Sequence, residues 1–487
     1  MALRTSVVLY LNGSRLEIGT EHAQMMLADY LRRTRNLTGT KIVCAEGDCG
    51  ACSVLRYFPK AGPKFLPINS CITTVAQMDG SSLVTVDALA RQSGGEVLTP
   101  VQKAMIDCHG SQCGFCTPGF IVAITGLVET KLARKNRGPI STNEAKNALT
   151  GNLCRCTGYQ PILDATTNLD LTQCESIKSR FVSPAQEKDL KKIFSEPLKI
   201  ESTRFLFYAP KTLNKAAKFL SKNPEARILG AGTDLGVQQN KGKTLITQAL
   251  SLHLISELYE IKMLPKNRIS VGARVTLTEL REFLKSKIPE FARFLDLFAS
   301  PQIKNVATLV GNLGNASPIG DTLPFLMVSD AAITIQGPSR ARMIEVSNFF
   351  QGYRKTALKS GEIITSVHFD IPTESDHLSL FKVSERKDLD ISAVSAAYRI
   401  RGAGRDFRVI RSVQLAMGGV SSTPIRFPKT EKLFINVTVT PELLTRAEIV
   451  LQSEINPLSD LRGTGAFRRV LAGNLLKRAF RDWRNGR

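Results

Sequence analysis

Four cysteines in the first 71 residues have the spacing of a cluster-binding set. Cys44, Cys49 and Cys52 follow a C-x4-C-x2-C pattern, and Cys71 follows at a distance. This spacing is typical of the thiolates that hold a plant-type [2Fe–2S] cluster. Two glycines in the loop would let the backbone curl and point its N–H groups at sulfur. A zinc site, which more often uses two separated C-x2-C pairs, and a disulfide knot are the alternatives.

Four further cysteines form two closely spaced pairs. Cys113 and Cys116 form a C-x2-C pair that opens an apolar segment, and Cys154 and Cys156 form a C-x-C pair. Taken alone, two such pairs are compatible with zinc or with a second iron–sulfur cluster. The C-x-C pair favours the cluster, because thiolates one residue apart bind awkwardly to one tetrahedral ion but can share one iron.

Two glycine-rich stretches beyond residue 225 could bind a phosphorylated ligand. The shorter one, Gly230 to Asp234, follows a predicted strand, and backbone N–H groups in such a turn can approach a pyrophosphate. It lacks the third glycine of a Rossmann fingerprint, and a simple tight turn is the alternative. The longer stretch, Phe298 to Asp321, crowds glycines, hydroxyls and amides together, which suits a large polar ligand or a solvated loop.

The hydrophobic pattern predicts the elements that would position the first cysteine set. Residues 6–18 alternate around the turn Asn12-Gly13 and predict a β-hairpin, and residues 22–33 predict a short amphipathic helix. Residues 53–58 and 82–86 predict strands. We therefore expect a small β-grasp sheet around the first cysteine loop.

The remaining pattern predicts a helical module and then a mixed α/β region. Helices are expected from Pro100 onward, over 120–127 and 143–149, and after Cys156. The polar, lysine-rich segment 171–202 is interpreted as an interdomain linker. Strands and helices from about residue 378 predict a separate C-terminal lobe.

Length and composition are those of a globular protein of about three domains. The chain has 487 residues, of which 43% are hydrophobic and 22% are charged. No apolar run is long enough to span a membrane, and Val7 to Leu11 is too short for a signal peptide, so a cytoplasmic location is expected. All ten cysteines lie within the first 174 residues, and they are too few for a disulfide scaffold.

The net charge of +22 is unusual and indicates an acidic partner or an anionic cofactor. A nucleic-acid-binding function is disfavoured, because no recognition motif and no dense basic block with interleaved aromatic residues is present.

The two cysteine sets together resemble the iron–sulfur part of the molybdenum hydroxylases, the family of xanthine dehydrogenases and aldehyde oxidases. The second set lies in the motifs QCGFCTPG (112–119) and GNLCRCTGY (151–159). The resemblance implies one [2Fe–2S] cluster on Cys44, Cys49, Cys52 and Cys71, and another on Cys113, Cys116, Cys154 and Cys156. It also implies that Gln112 and Cys156 approach a molybdopterin, and that Cys108 and Cys174 are packing or surface thiols.

The glycine-rich stretches resemble the FAD domain of the same family, a vanillyl-alcohol-oxidase/PCMH-like fold in which two α/β lobes hold the cofactor. The implied pyrophosphate contacts are Leu229, Gly230, Ala231, Gly232, Thr233, Asp234 and Leu235. The implied ribityl and adenosine contacts are Thr308, Gly311, Asn312, Ser317 and Asp321, with Phe298 against the isoalloxazine. Tyr353 and Asp390 would flank the face where nicotinamide arrives, and Ile364 and Lys382 would touch the ring or its neighbours.

The implied architecture is α+β and multidomain. Its expected parts are a β-grasp [2Fe–2S] ferredoxin domain (1–88), a helical [2Fe–2S] domain (89–170), a linker (171–202), a PCMH-type FAD domain (203–376) and a C-terminal flavoprotein domain (377–487).

This order of modules resembles the small subunit of bacterial xanthine dehydrogenases. The resemblance implies a molybdopterin-binding large subunit as partner, assembly as an (αβ)2 heterotetramer, and no partner among nucleic acids or membranes. Hypoxanthine or xanthine would be hydroxylated on the partner, and electrons would pass through two [2Fe–2S] clusters and FAD to NAD+. No catalytic residue for purine hydroxylation is then expected on this chain.

Two alternatives remain open at this point. One is the electron-transfer part of another molybdenum hydroxylase, acting on aldehydes or N-heterocycles with O2 or another acceptor. The other is a stand-alone iron–sulfur flavoprotein reductase.

Overall fold

A computed structural model describes residues 3–60, 62, 64–92, 96–403 and 409–486. The chain divides into two compact units. Unit 1 is Met1–Tyr259 with Ala299–Ala307, and unit 2 is Glu260–Phe298 with Thr308–Arg487. The division runs through the predicted FAD domain, whose first part belongs to the same unit as both cysteine sets. In the described ranges, no helix has both the length and the apolar character needed to cross a membrane.

The first module is a five-stranded sheet, as the β-grasp prediction requires. Its strands are β1 (Val7–Leu11), β2 (Ser14–Ile18), β3 (Ser53–Tyr57), β4 (Leu66–Asn69) and β5 (Ser82–Val84). The spatial order is β2-β1-β5-β3-β4, with β1 and β5 parallel. Asn12 and Gly13 have φ angles of 52° and 88°, the left-handed conformation that a two-residue hairpin turn needs. The hairpin prediction is confirmed.

The single helix predicted over residues 22–33 is wrong. The segment contains α1 (Thr20–Ala23), α2 (Leu27–Asp29) and a π-helical turn (Tyr30–Thr34). Met26 is extended and pairs with Thr74 in an antiparallel bridge, so the helix is interrupted there. Three 3-10 turns complete the module, at Ser70–Ile72, Val75–Met78 and Val86–Ala88.

The second module is helical, as predicted. After a short hairpin of β6 (Arg91–Gln92) and β7 (Glu96–Val97) come α3 (Pro100–Asp107), α4 (Thr117–Ala133), α5 (Thr142–Leu149) and α6 (Gln160–Thr167). Thr99 with Gln102, and Ser141 with Glu144, form capping boxes that begin α3 and α5.

The segment predicted to be a linker contains regular structure. It holds α7 (Ile177–Phe181), α8 (Pro184–Ser195) and β8 (Leu198–Glu201). Ser183 and Gln186 form a capping box at the start of α8, whose Leu190 and Ile193 are buried. Lys188, Lys191 and Lys192 of α8 are exposed, so they lie on the polar side of an amphipathic helix.

A second sheet of four strands also belongs to unit 1. Its further elements are β9 (Leu206–Ala209), α9 (Leu213–Lys222), β10 (Arg227–Leu229), α10 (Thr233–Asn240), β11 (Gln248–Ser251) and a 3-10 turn (Ser256–Tyr259). The strand order is β10-β11-β9-β8. Phe207 and Ala249 of this sheet belong to the same buried cluster as Val7 and Leu9 of the first sheet. This shared core explains why the two sheets form one compact unit.

Unit 2 begins with a mixed region around a third sheet. In chain order its elements are β12 (Ile261–Leu264), β13 (Arg268–Gly272), α11 (Leu277–Leu284) and α12 (Pro289–Phe294). The chain then forms α13 (Pro301–Lys304), which belongs to unit 1. Next come α14 (Leu309–Gly314), α15 (Leu323–Val328), β14 (Ala332–Gln336), β15 (Ala341–Glu345), a 3-10 turn (Val346–Asn348), β16 (Phe350–Gly352), β17 (Lys355–Thr356) and β18 (Ile363–Asp370). The five-stranded sheet has the order β12-β13-β18-β14-β15.

The C-terminal lobe of unit 2 has its own sheet and core. It contains β19 (Asp376–Val383), β20 (Val394–Ala403), β21 (Val409–Gly418), β22 (Ile425–Arg426), α16 (Pro428–Lys432), α17 (Pro441–Glu454) and α18 (Gly465–Arg484). Phe434 and Phe480 stack with ring centroids 4.1 Å apart, and both are fully buried.

Candidate functional site

The first cysteine loop curls around its own thiols. Ala45, Gly47 and Gly50 have φ angles of 54°, 79° and 68°, so the loop turns through the left-handed region three times. As a result the N–H groups of Glu46 and Cys49 point at the Sγ of Cys44, at 3.4 and 3.5 Å. The loop thus directs backbone donors at sulfur, as the sequence predicts.

The four thiols of the first set contact one another. The Sγ atoms of Cys52 and Cys71 lie 3.2 Å apart, and the Cys44 thiol is hydrogen-bonded to Cys49 and Cys71. The hydrogen bond from Cys49, and then that from Cys71, holds the pKa of Cys44 well below its usual range. Each iron of a two-iron cluster takes two protein sulfurs, and the contacts Cys44–Cys49 and Cys52–Cys71 provide two such pairs.

The second set lies at the start of α4 and in the loop before α6. The Sγ atoms of Cys113 and Cys156 lie 3.6 Å apart, and Cys116 is hydrogen-bonded to Cys154. These contacts again give two pairs of sulfurs. Each pair combines one cysteine of the C-x2-C motif with one of the C-x-C motif, so the expectation that Cys154 and Cys156 share one iron is wrong. Cys113 and Cys156 are exposed, whereas Cys154 is buried, so one pair is open to the surface and the other is covered.

Hydrogen bonds prepare Cys154 to be a thiolate. Its Sγ accepts from the Oγ1 of Thr157 at 3.2 Å and from the backbone N–H groups of Cys156 and Thr157. Burial alone would raise the pKa of Cys154, but these hydrogen bonds outweigh it and lower the pKa to about 7. Burial, followed by the hydrogen bond with Cys154, raises the pKa of Cys116 to about 12.

The donors fit two iron–sulfur clusters. In the part of the chain that the structure describes, no group of three or more His, Cys, Asp and Glu side chains is arranged to hold a single metal ion. The thiols form two groups of four in which the sulfurs contact each other in pairs, and iron–sulfur clusters are held by such thiolates. The eight cysteines predicted from the sequence are therefore the residues that would hold the clusters.

The two cysteine loops are hydrogen-bonded to each other. The N–H of Leu153 donates to the carbonyl of Cys49 at 3.0 Å, and the Nδ2 of Asn152 donates to the carbonyl of Gly50 at 3.2 Å. A Cβ on Gly50 would lie 2.2 Å from the carbonyl oxygen of Gly151, so the loops approach this closely because residue 50 is glycine. A direct hydrogen-bonded path thus joins Cys49 of the first set to the residue before Cys154 of the second.

In unit 1, the predicted pyrophosphate turn joins β10 to α10. Gly232 has a φ of 74° and begins α10, and a Cβ on Gly230 would meet no protein atom within 4 Å. The Nε2 of Gln77 donates to the carbonyl of Ala231 at 2.7 Å and steadies the turn. Its flanking Leu229 is buried, and Leu235 packs against the same core. The open space beside Gly230 suits the close approach of a phosphate group.

The helix that follows this turn lies on the first cysteine loop. The Nδ2 of Asn240 donates to the carbonyls of Ala45 and Cys71, both at 2.8 Å. A Cβ on Gly236 would lie 2.1 Å from the carbonyl oxygen of Ile72. In α10 itself, Asp234 accepts a hydrogen bond from Gln238. Asn240 was not predicted from the sequence, although its amide holds the first cysteine loop by donating to the carbonyls of Ala45 and Cys71.

In unit 2, the predicted ribityl-binding stretch is built around α14. The Oγ1 of Thr308 accepts from the N–H of Gly311 at 2.9 Å and begins the helix, and the Oδ1 of Asn312 accepts from Thr322 at 2.6 Å. The Oγ of Ser317 accepts from the N–H of Ile319 at 3.4 Å. The side chain of Ile364 lies against Gly314 of the same helix.

Asp321 and Lys382 form a buried ion pair. The Nζ of Lys382 donates to the carboxylate of Asp321 at 2.8 Å, and their side chains are 4% and 6% exposed. The hydroxyl of Ser392 donates to the other carboxylate oxygen. The structure therefore brings together two candidate residues that are 61 positions apart in the sequence.

The remaining candidates of unit 2 are more open. Asp390 accepts from the N–H groups of Arg386 and Ile391 at 2.8 and 3.0 Å. Burial would raise the pKa of Asp390, but these backbone hydrogen bonds lower it overall. Tyr353 is 58% exposed in the turn between β16 and β17. Phe298 is half-buried.

Replacing Lys382 by methionine is expected to destabilise unit 2 by about 3–5 kcal/mol, because the Asp321 carboxylate is left buried without its cation. Urea unfolding followed by circular dichroism measures the loss. Lys387→Met, at an exposed lysine of the same lobe, is the matched control and should change the unfolding free energy by less than about 0.5 kcal/mol. Equal stability of the two variants would contradict the buried pair.

Family models match three parts of the chain. Residues 85–167 match a [2Fe-2S] binding domain, and residues 200–373 match the FAD binding domain in molybdopterin dehydrogenase. Residues 379–483 match the CO dehydrogenase flavoprotein C-terminal domain. The chain thus contains domains that bind a [2Fe–2S] cluster and FAD.

Curated relatives match almost the whole chain. Xanthine dehydrogenase of Drosophila subobscura is 31% identical over 98% of this chain and 39% of that protein. Xanthine dehydrogenase 1 of Arabidopsis thaliana is 30% identical over 94% of this chain and 38% of that protein. The chain therefore spans about two fifths of the length of these relatives.

Solved structures match the fold. A Cu,Mo-CO dehydrogenase has a TM-score of 0.53 and 25% identity, and it covers 57% of this chain and 96% of its own. Quinoline 2-oxidoreductase from Pseudomonas putida 86 has a TM-score of 0.54 and 22% identity, covering 59% of this chain and 99% of its own; this likeness concerns the fold alone. Together with the two groups of four thiols, the family models and the curated relatives show that the chain belongs to the molybdenum hydroxylase family and carries its [2Fe–2S]-binding and FAD-binding domains.

Proposed function

We propose that the chain is the electron-transfer subunit of a xanthine dehydrogenase that acts in the cytoplasm. Its partner would be a molybdopterin-binding large subunit, in an (αβ)2 heterotetramer, where hypoxanthine or xanthine is hydroxylated. NAD+ would be the final acceptor. When bound, the clusters pass single electrons and FAD passes an electron pair as a hydride. The xanthine dehydrogenases among the relatives support this choice of substrate and acceptor.

The observation that carries the proposal is the connection between the two cysteine sets. The second set opens to the surface at Cys113 and Cys156, and Gln112, Phe115 and Leu153 beside it are also exposed. The exposed apolar side chains of Phe115 and Leu153 beside these thiols suit the approach of a large partner. The first set is more covered, and the bond from Leu153 to Cys49 joins it to the second. This arrangement supports transfer from a partner at the surface to the first set within.

The chain's own residues would then hold and orient the groups. We propose the eight paired cysteines as cluster ligands and the turn Gly230–Asp234, the stretch from Thr308 to Asp321, and Lys382 as FAD contacts. Phe298, Tyr353, Ile364 and Asp390 are proposed to lie near the flavin ring. We also propose domains with the boundaries 1–88, 89–170, 203–376 and 377–487, with segment 171–202 joining the second to the third.

Assays of the chain co-purified with its molybdenum partner test the proposal. Xanthine and hypoxanthine should be oxidised to uric acid with NAD+ as acceptor, and aldehydes, quinoline and carbon monoxide should be poor substrates. Turnover with O2 alone, or with a non-purine substrate alone, would contradict the substrate and acceptor while leaving the family unaffected.

A second candidate is the electron-transfer part of another molybdenum hydroxylase. The similarity to CO dehydrogenase and quinoline 2-oxidoreductase structures favours it. The same assays distinguish the two, because turnover of an aldehyde or N-heterocycle without purine turnover supports this second candidate.

A further inference from the structure

The short helix α13 and its flanking residues lie against the cysteine loops. Residues Ala299–Ala307 belong to unit 1, although the chain before and after them belongs to unit 2. Ser300 begins the helix, because its Oγ accepts from the N–H of Ile303 at 3.1 Å. Gln302 in the middle of the helix is completely buried. A polar side chain in that position must be explained by its partners.

The carboxamide of Gln302 lies between the two cysteine loops. Its Nε2 donates to the Oδ1 of Asn152 at 2.8 Å and to the Oγ of Ser53 at 3.3 Å. Both acceptors donate in turn to the carbonyl of Gly50, Asn152 at 3.2 Å and Ser53 at 2.7 Å. Gln302 therefore bonds to two side chains, one from each loop region, that both donate to the carbonyl of Gly50.

Gln302 also fixes which way the amide of Asn152 points. The Nε2 of Gln302 can only donate, so it must face the Oδ1 of Asn152, and this leaves the Nδ2 of Asn152 for the carbonyl of Gly50. Without that donor, the buried Oδ1 loses its partner, and a rotated amide would place two oxygens against each other. The hydrogen bond from the Nδ2 of Asn152 to the carbonyl of Gly50 then loses its preferred geometry.

The space around Gln302 is closely filled. A Cβ on Gly151 would lie 1.8 Å from the Oε1 of Gln302, so the carboxamide takes the place of a side chain there. In the described ranges, Oε1 has no hydrogen-bond partner. After Gln302, Ile303 packs in the cluster of Cys52, Cys71 and Ile72, and the Nδ2 of Asn305 donates to the carbonyl of Pro67 in β4 at 2.8 Å. The residues that follow Gln302 thus hold the helix against the first module.

We propose that Gln302 is a positioning residue that sets the separation of the two iron–sulfur centres and hence the rate of electron transfer between them. The proposal rests on the proposed function, since it requires both clusters to be present. Electron tunnelling slows steeply as the gap between donor and acceptor widens. Two hydrogen bonds hold the cysteine loops together, one from Asn152 to the carbonyl of Gly50 and one from Leu153 to the carbonyl of Cys49. Gln302 holds the Asn152 side chain in place for the first of these bonds.

Gln302→Met tests the proposal, because methionine fills a similar volume but donates no hydrogen bond. Three changes are expected in the purified holoprotein. Hydrogen exchange at the Leu153 amide should be roughly 10-fold faster. The magnetic coupling between the two reduced clusters, seen in low-temperature EPR, should weaken. Inter-cluster electron transfer, followed by rapid freeze-quench EPR, should slow by roughly 10-fold.

Gln173→Met is the matched control, since Gln173 is exposed and its Nε2 donates to Asp170, three positions away. It should leave all three quantities unchanged. Gly151→Ala is a second variant with Gln302 intact, and it should reproduce the changes by displacing the carboxamide. If both clusters are present in Gln302→Met, and the magnetic coupling, the hydrogen exchange at Leu153 and the electron-transfer rate all match the wild type, the proposed role of Gln302 is refuted. The proposed function of the chain is not affected by that result. If the wild-type chain binds no clusters, the proposed function fails and this inference with it.

Discussion

Replacing Cys52 by alanine is expected to remove one cluster and to lower the iron content from about four atoms to about two per chain. Cys52 is buried, with its Sγ 3.2 Å from that of Cys71, so no other thiol of the described chain can take its place without moving the loop. Iron and acid-labile sulfide analysis measure the loss, and EPR should retain a single reduced-cluster signal. NAD+-linked turnover with a molybdenum partner should also be lost.

Cys108→Ala is the control for this experiment. Cys108 is a half-buried cysteine outside both sets, and its Sγ accepts from the Nδ2 of Asn168 at 3.8 Å. The variant should keep about four iron atoms and both EPR signals. Equal iron in the two variants would contradict the assignment of Cys52 as a ligand.

The second large effect is expected on stability, at Asp79. The side chain of Asp79 is completely buried in unit 1, and Arg4 donates to both of its carboxylate oxygens at 2.7 Å. The Nε2 of His253 lies 3.2 Å away, and the N–H of Val8 donates at 3.0 Å. The network ties the N-terminal segment, the first sheet and the end of β11 together.

Asp79→Asn is expected to lower the unfolding free energy by about 3–5 kcal/mol, because the amide nitrogen faces donors and Arg4 loses its closest ion-pair partner, keeping the longer pair with Glu196 at 3.7 Å. Urea unfolding measures the loss. Glu17→Gln removes the exposed pair with Arg15 and should cost less than about 1 kcal/mol. A loss at Asp79 no larger than that at Glu17 would contradict the role of the network.

The unfolding free energies of the wild type and of Asp79→Asn should also depend differently on pH. Burial raises the pKa of Asp79, but the hydrogen bonds from Arg4 and then His253 outweigh it and lower the pKa overall. A lowered pKa in the folded state means that the stabilisation is present above the unfolded value of about 3.9 and is lost as the pH falls below it. The wild type should therefore lose stability below about pH 4, and Asp79→Asn should lose less over the same range.

Local patterns predicted the parts of the structure that depend on neighbouring residues. The C-x4-C-x2-C spacing fixes three thiols within nine residues, and the hairpin turn at Asn12-Gly13 follows from two residues that tolerate positive φ. The capping box of Thr99 and Gln102 similarly sets the start of α3. These features need no distant partner, so the sequence contains all the information required.

The features that the sequence did not predict depend on distant contacts. The helix expected over 22–33 is broken because Met26 pairs with Thr74, and a periodic pattern carries no sign of such a partner. Asn240 and Gln302 were missed for the same reason, since their acceptors lie between 150 and 249 positions away. Both are single amides in otherwise ordinary helices. The contacts of both amides, and the burial of Gln302, become visible only once the chain has folded.

The division of the chain into two compact units also could not be predicted from the sequence. The strands of 198–251 look like the start of a separate flavin domain, and their alternation does not show what they pack against. In the structure their Phe207 joins the core that contains Val7 and Leu9. The hydrophobic pattern of a strand indicates that one face is buried, but it does not indicate which other element packs against that face.

The most direct test of an electron relay in this chain is the EPR spectrum of the purified chain after anaerobic reduction with NADH. We expect the flavin absorption to bleach and two distinct reduced [2Fe–2S] signals to develop. A bleached flavin with no reduced-cluster signal, in a sample whose two clusters respond to dithionite, would contradict it.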